Sequence, residues 1–192
     1  MGMLFGRPAA SFDDPLGMLA ACHERVRKNV ETLGRLTTHV SLLGVDKEAS
    51  TAAATVHKYF STAAHQHHLD EELDVFPCVR RRVNDAERAE LLSIMEQLEQ
   101  EHEVIEGLWA QMEPALLAVS EGQQAEIPAG VVDEFVTKMR AHLDVEERQI
   151  LPRAHAFIQA GDLPELGKNM ALRRGLSWPV TDEIQGVVPV GN

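Results

Sequence analysis

Two segments of the chain repeat one pattern, and few folds can use it. His67-His68-Leu69-Asp70-Glu71-Glu72-Leu73-Asp74-Val75-Phe76-Pro77 and His142-Leu143-Asp144-Val145-Glu146-Glu147-Arg148-Gln149-Ile150-Leu151-Pro152 share it. Each places a glutamate four residues after a histidine, a second glutamate beside it, an apolar pair, and a proline ten residues after the histidine. On an α-helix, residues four apart lie one turn apart on the same face. Each segment therefore points an imidazole and a carboxylate the same way, a nitrogen donor and a hard oxygen donor for a metal ion. Two such segments predict two helices closing on one site.

The rest of the chain supplies the helices. Asp14-Pro15 opens helix A, with proline suited to the first helical position, and an apolar stripe runs from Leu16 through Val26, Val30 and Leu36 towards Leu43. Gly44-Val45-Asp46 is a turn whose Asp46 caps helix B. Helix B carries Val56, Tyr59 and Phe60 into the first repeated segment, and Pro77 is expected to kink or end it. Asn84-Asp85-Ala86-Glu87 has capping-box spacing for helix C, which Pro114 is expected to bend or stop. Residues 120–128 are a loop. Helix D carries Val131, Phe135 and Met139 through the second segment to about Gly161, and Asp162 starts a short fifth helix.

No segment reads as a strand. The fold class is all-α: an antiparallel up-down-up-down four-helix bundle with a short fifth helix and an extended C-terminal tail. With 192 residues, one domain is expected. It spans residues 1–175, with a loose leader over 1–12, and the tail spans 176–192.

Distances along the chain bring a histidine from each helix to one layer. His23 and His67 lie equally far from the turn at residue 45. His67 with Glu71, His102 and His142 lie at matching distances from the other turns to within three or four residues, about one helical turn or roughly 5 Å. The same reasoning sets Cys22 and Cys78 about ten residues of helix, roughly 15 Å, apart in height, too far for a disulfide. Helix C adds His102 and Glu106, a third histidine-glutamate pair, and helix A adds His23. The candidate metal ligands are His23, His67, Glu71, His102, Glu106, His142 and Glu146. A single pair of this kind is often an exposed helix pair, but three at one height with a fourth histidine favour a metal site over a solvated face, with surface histidines on a metal-free bundle as the remaining alternative.

The helix A histidine, the two repeated segments and the Glu101-His102 pair of helix C, in this order over residues 15–158, resemble the hemerythrin-like family of HHE cation-binding domains. The resemblance implies a non-haem di-iron site inside the bundle. Glu71 and Glu146 would be bridging carboxylates beside an oxo or hydroxo group, with the histidines as terminal ligands. It also implies chemistry with dioxygen, peroxide or nitric oxide. Oxygen-carrying members have a second histidine four residues after that of helix C, where this chain has Glu106. An added carboxylate stabilises ferric over ferrous iron, so the expectation is oxygen or peroxide reduction, catalase-like, rather than reversible carriage. A redox partner is implied but not identified.

Other readings stay open. The metal could be structural or regulatory, in an iron- or oxygen-responsive sensor or interaction module that uses the fifth helix and tail. A zinc site is a third reading, although seven donors are too many for one tetrahedral ion. Glu106 is either a ligand or an outer residue. The spacing to proline selects His67 and Glu71 over His68 and Glu72, leaving His68, Glu72 and Glu147 as supporting or surface residues. Phe60 and Trp109 share the site face, as core or as walls of an apolar pocket. Tyr59 is offset from the His67 face. Arg27 and Lys138 also face the site and are expected to snorkel towards the bundle ends, with pairing of one of them to a ligand carboxylate as the alternative. His39, His57, His65 and His155 point elsewhere.

The balance of 30 acidic against 18 basic residues argues against nucleic acid as a partner, since phosphate binding rests on clustered Lys and Arg. No apolar run reaches the length of a membrane span, so no membrane partner is expected. With no signal pattern and only two cysteines, the expected location is cytoplasmic, with both thiols reduced.

Overall fold

The computed structural model describes residues 11–179, all-helical and without a strand among them. Most of the expected leader and the tail beyond residue 179 lie outside the described residues.

Helix α1 spans Pro15–Leu43. Its start is fixed by Asp14, whose carboxylate accepts from the Gly17 N–H at 3.0 Å, and its end by Gly44 at φ 79°, a conformation glycine adopts without a Cβ penalty. The second rod is made of α2 (Lys47–Tyr59), a π-helical segment (Phe60–Ala64), α3 (His65–Asp70), a second π segment (Glu71–Val75) and α4 (Phe76–Arg82). Asp46 caps it through the Ala49 N–H. Helix α5 spans Asp85–Ser120 behind an Asn84 cap that accepts from the Glu87 N–H and donates back to the Glu87 carboxylate, the reciprocal arrangement its sequence predicts. The fourth rod joins α6 (Ala129–Val145), a third π segment (Glu146–Ile150) and α7 (Leu151–Phe157), and α8 (Leu163–Arg173) follows.

Pro77 does not end its rod, and Pro152 lies inside the fourth rod, which the expected helix D also runs through. In each case the turn before the proline widens: the Phe76 N–H reaches the Glu71 carbonyl and the Leu151 N–H reaches the Glu146 carbonyl, five residues back. The wider turn makes room for a ring that would clash in an α-helix. Pro114 sits inside α5, which continues to Ser120 because Met112, Leu116 and Val119 are buried on both sides of it. The packing outweighs one missing hydrogen bond.

The first rod packs on the second and fourth, and the third packs on the same two. Two apolar cores form. One gathers Val26 to Val40, Ala49 to Ala64, Ile105 to Val119 and Val132 to Leu143. The other gathers Leu16, Leu19, Val75 to Val83, Leu91 to Leu98 and Ile150 to Met170. On every rod polar, buried residues lie between these two sets: His23; His67, His68, Asp70 and Glu71; His102; and His142 with Glu146. The order of the two cores along the chain reverses from each rod to the next. Helix α8 lies against α1, α3 and the second π segment. It comes so near the backbone of Phe12 that a Cβ at Gly167 would stand 1.9 Å from that residue's carbonyl oxygen. No helix among the described residues is long and apolar enough to cross a membrane.

Candidate metal centre

The buried polar layer holds six of the seven predicted residues. His23, His67, Glu71 and Glu146 bring ligand atoms within 4.8 Å of one another, as do Glu71, His102, His142 and Glu146. Two carboxylates are thus common to both groups. Oε1 of Glu71 lies 3.9 Å from His23 Nε2 and 3.6 Å from His67 Nε2, while its Oε2 lies 3.5 Å from His102 Nε2. Glu146 presents Oε2 to His23 at 3.3 Å and Oε1 to His142 at 2.9 Å. Each glutamate therefore turns one oxygen to the His23–His67 side and the other to the His102–His142 side.

Burying such groups without partners is costly. Yet both nitrogens of His23 and of His67, Oε2 of Glu71 and both oxygens of Glu146 are buried without a hydrogen bond of acceptable geometry. A cation among them would satisfy the inward Nε2 atoms of His23 and His67 together with the facing oxygens of Glu71 and Glu146. The spacing fits one: His102 Nε2 and His142 Nε2 are 3.0 Å apart, and two nitrogens bound at right angles about 2.1 Å from one ion would stand about 3 Å apart.

Electrostatics of the metal-free layer point the same way. Burial opposes charge on every imidazole here, but facing glutamates outweigh it in His102, raised to about 10 by Glu146, Glu71 and Glu72, and in His142, raised to about 9 by Glu146 and Glu101. His67, flanked by other histidines, is pushed down to about 4 by burial. Glu71 and Glu146 resist burial and stay ionised because the imidazoles surround them. Anionic oxygens and displaceable protons are what a cation exchanges for.

The imidazoles are held from behind by carboxylates. His102 Nδ1 lies 2.6 Å from Glu72, His142 Nδ1 2.9 Å from Glu101, and His23 Nδ1 3.3 Å from Glu147. A carboxylate on one ring nitrogen fixes the tautomer and aims the other nitrogen inward. The second glutamate of each repeated segment thus serves a histidine on a different rod.

Two expectations need correction. Glu106 does not enter either cluster. Its side chain is half-exposed and lies 3.0 Å from His65 Nδ1 and 3.6 Å from His68 Nδ1. The space is taken by His68, buried with its ring stacked on His102 at 4.0 Å and grouped with His102 and His142 as a third set of close ligand atoms. The ten-residue spacing to Pro77 favours His67 over His68 without excluding its neighbour. Helix α3 has only six residues between two wide π turns, and both histidines are buried in the layer. The adjacent histidine pair was the available signal. Arg27 does not snorkel to a bundle end. It bridges Asp144 at 2.8 Å and Glu147 at 3.0 Å, pinning the carboxylate that backs His23. Lys138 stays exposed beside Glu134.

A clasp lies behind Glu71. Asp70 is completely buried and bound by Arg173 and Arg174, the latter at 2.6 Å. Asp74 accepts from Arg173 at 2.6 Å and Asn169 at 2.7 Å. Acids four apart in one helix and paired arginines in another were its only trace in the sequence. Tyr59 donates to the Cys22 carbonyl at 3.3 Å, and both cysteines are free and buried. His39 pairs with Asp46 and His57 with Glu113, away from the layer.

A family model, the hemerythrin HHE cation-binding domain, matches residues 14–154, which include all of these histidines and glutamates. An uncharacterized protein of Haemophilus influenzae is 26% identical over 174 residues, covering 91% of this chain and 98% of that relative.

Proposed function

We propose a di-iron function for this chain, which belongs to the hemerythrin HHE cation-binding domain family. Its four rods are read as an antiparallel up-down-up-down bundle with α8 as the short fifth helix. His23 and His67 would hold one iron, His68, His102 and His142 the other. Glu71 and Glu146 would bridge them with an oxo or hydroxo group, since each turns its two oxygens to opposite sides. When bound, the iron pair supplies electrons and an open coordination position for dioxygen, peroxide or nitric oxide.

Reduction of oxygen or peroxide is favoured over reversible carriage. Glu106 lies outside both ligand groups, beside His65 and His68, so this preference does not rest on an added carboxylate ligand. The observation that carries the reading instead is the row of outer carboxylates: Glu72, Glu101 and Glu147 on the Nδ1 atoms of His102, His142 and His23. They make the imidazoles more basic, and basic ligands favour the ferric state. The flanking cores exclude water from the layer. Free Cys22 and Cys78 suit a reducing, cytoplasmic setting.

Metal analysis with a visible spectrum tests the site, with about two irons per chain expected. Added hydrogen peroxide tests the reaction: turnover that disappears in His142→Ala supports reduction, and reversible spectral change without turnover overturns it. A second reading, an iron-responsive interaction module, is favoured by one observation, the arginines of the C-terminal segment bound to Asp70 next to Glu71. Unfolding of α8 on iron removal, read by hydrogen exchange, would support it.

A further inference from the structure

We propose that the pocket beside His68 binds a neutral, single-ring aromatic alcohol of the phenol class. The pocket has a volume of about 260 Å³ and is walled by Phe60, Trp109, Phe135 and Met139, with Ser61, His65, His68, Glu106 and Glu113 as its polar lining. A dry cavity of about 150 Å³ already accommodates a benzene ring, while a water-sized molecule occupies about 30 Å³. The space is therefore ring-sized and far larger than a diatomic needs. The walls are aromatic: Phe60 packs 5.3 Å from Trp109 and 5.2 Å, edge-on, from Phe135, so a bound ring would lie against this cluster rather than between its members.

The backbone here is also unusual. Two of the three π segments are accounted for by the prolines that follow them. The segment Phe60–Ala64 has no proline before Pro77, and it forms one wall of this pocket through Phe60, Ser61 and Ala64. Wide turns of this kind occur frequently at functional sites.

The polar end specifies the head group. His68 is 5% exposed, and its Nδ1 has no hydrogen-bond partner. Glu106, the nearest acid, is 3.6 Å away, beyond hydrogen-bond reach. A hydroxyl both donates and accepts, so one placed between them would serve carboxylate and imidazole together. The mouth carries Glu106 and Glu113, and no lysine or arginine lines the pocket, which disfavours an anionic ligand. His65 already faces Glu106, and Ser61 donates to Glu113, so neither acid calls for a cation.

Calorimetric titration of the full chain with phenol, with Trp109 fluorescence followed in a Trp178→Phe background, tests the inference. Saturable binding is expected at or below about 1 mM, with benzoate at least tenfold weaker. Ala64→Leu, which fills the pocket, and Trp109→Leu, which removes a ring wall, should each weaken phenol at least tenfold. No saturation below about 10 mM, benzoate binding as well as phenol, or unaltered binding in both variants would overturn it. Titrating metal-free and iron-loaded protein in parallel separates this inference from the metal reading. Two irons without phenol binding sinks the pocket alone, and phenol binding without iron uptake sinks the metal centre alone.

Discussion

The segments His67–Pro77 and His142–Pro152 run the same course. In each, the histidine and first glutamate enter the buried layer, the second glutamate backs a histidine on another rod, and the turn before the proline widens. They differ at the positions between. Asp70 and Asp74 in the first are buried and clasped by the arginines of and just beyond α8. In the second, Val145 and Gln149 stand at those offsets, and the support is a surface pair, Arg27 with Asp144 and Glu147. The residue after the histidine differs too: His68 joins the layer, whereas Leu143 joins an apolar core. A shared template can thus set the metal geometry while unrelated contacts hold each copy in place.

The largest test of the template's equivalence is removal of the shared carboxylates. Glu71→Ala and Glu146→Ala should each empty the centre of iron, because each glutamate faces both groups of imidazoles. Full iron content in either variant by metal analysis would break the symmetry between the segments. The difference in support comes next. Substituting both Arg173 and Arg174 by Ala leaves Asp70 buried and unpaired, an arrangement that costs about 3–5 kcal/mol, read by urea unfolding of the metal-free protein. A loss below about 1 kcal/mol would mean that the clasp is no stronger than a surface contact.

Glu72→Gln and Glu147→Gln should each lower iron affinity by about 10–100-fold, measured by chelator competition. Unequal losses would show that the second glutamates are not interchangeable. Protonation sharpens the contrast further. In the metal-free protein at pH 7, His142 (raised to about 9) should be charged and His67 (lowered to about 4) neutral, as read by imidazole nitrogen NMR shifts. The His142 contribution to stability is present below its ordinary value near 6.5 and is lost as pH rises through about 9. The His67 contribution runs the other way, lost as pH falls from about 6.5 through 4. The smallest effect is Arg27→Ala, expected within about 1 kcal/mol because the pair is solvated.

Much of this was legible in the sequence because it follows from spacing. The four-residue offset brought His67 with Glu71 and His142 with Glu146 together, and distance from the turns brought His23 and His102 to the same layer. The entry of His68 where Glu106 was expected was not legible, because the spacing to proline singles out one histidine of an adjacent pair and does not reveal the two wide turns on either side of α3. Pro77 and Pro114 were expected to kink or end their helices, but buried side chains on either side hold each rod together. The clasp joins residues about a hundred positions apart, and no local pattern marks such a pairing.

Arg173 and Arg174 fall after residue 154, where the recognised domain stops. Similarity and mechanics therefore place the boundary of this protein differently. A fragment trimmed to the recognisable portion would retain every candidate ligand and still carry an orphaned negative charge directly beneath Glu71, so its behaviour would not report on the parent.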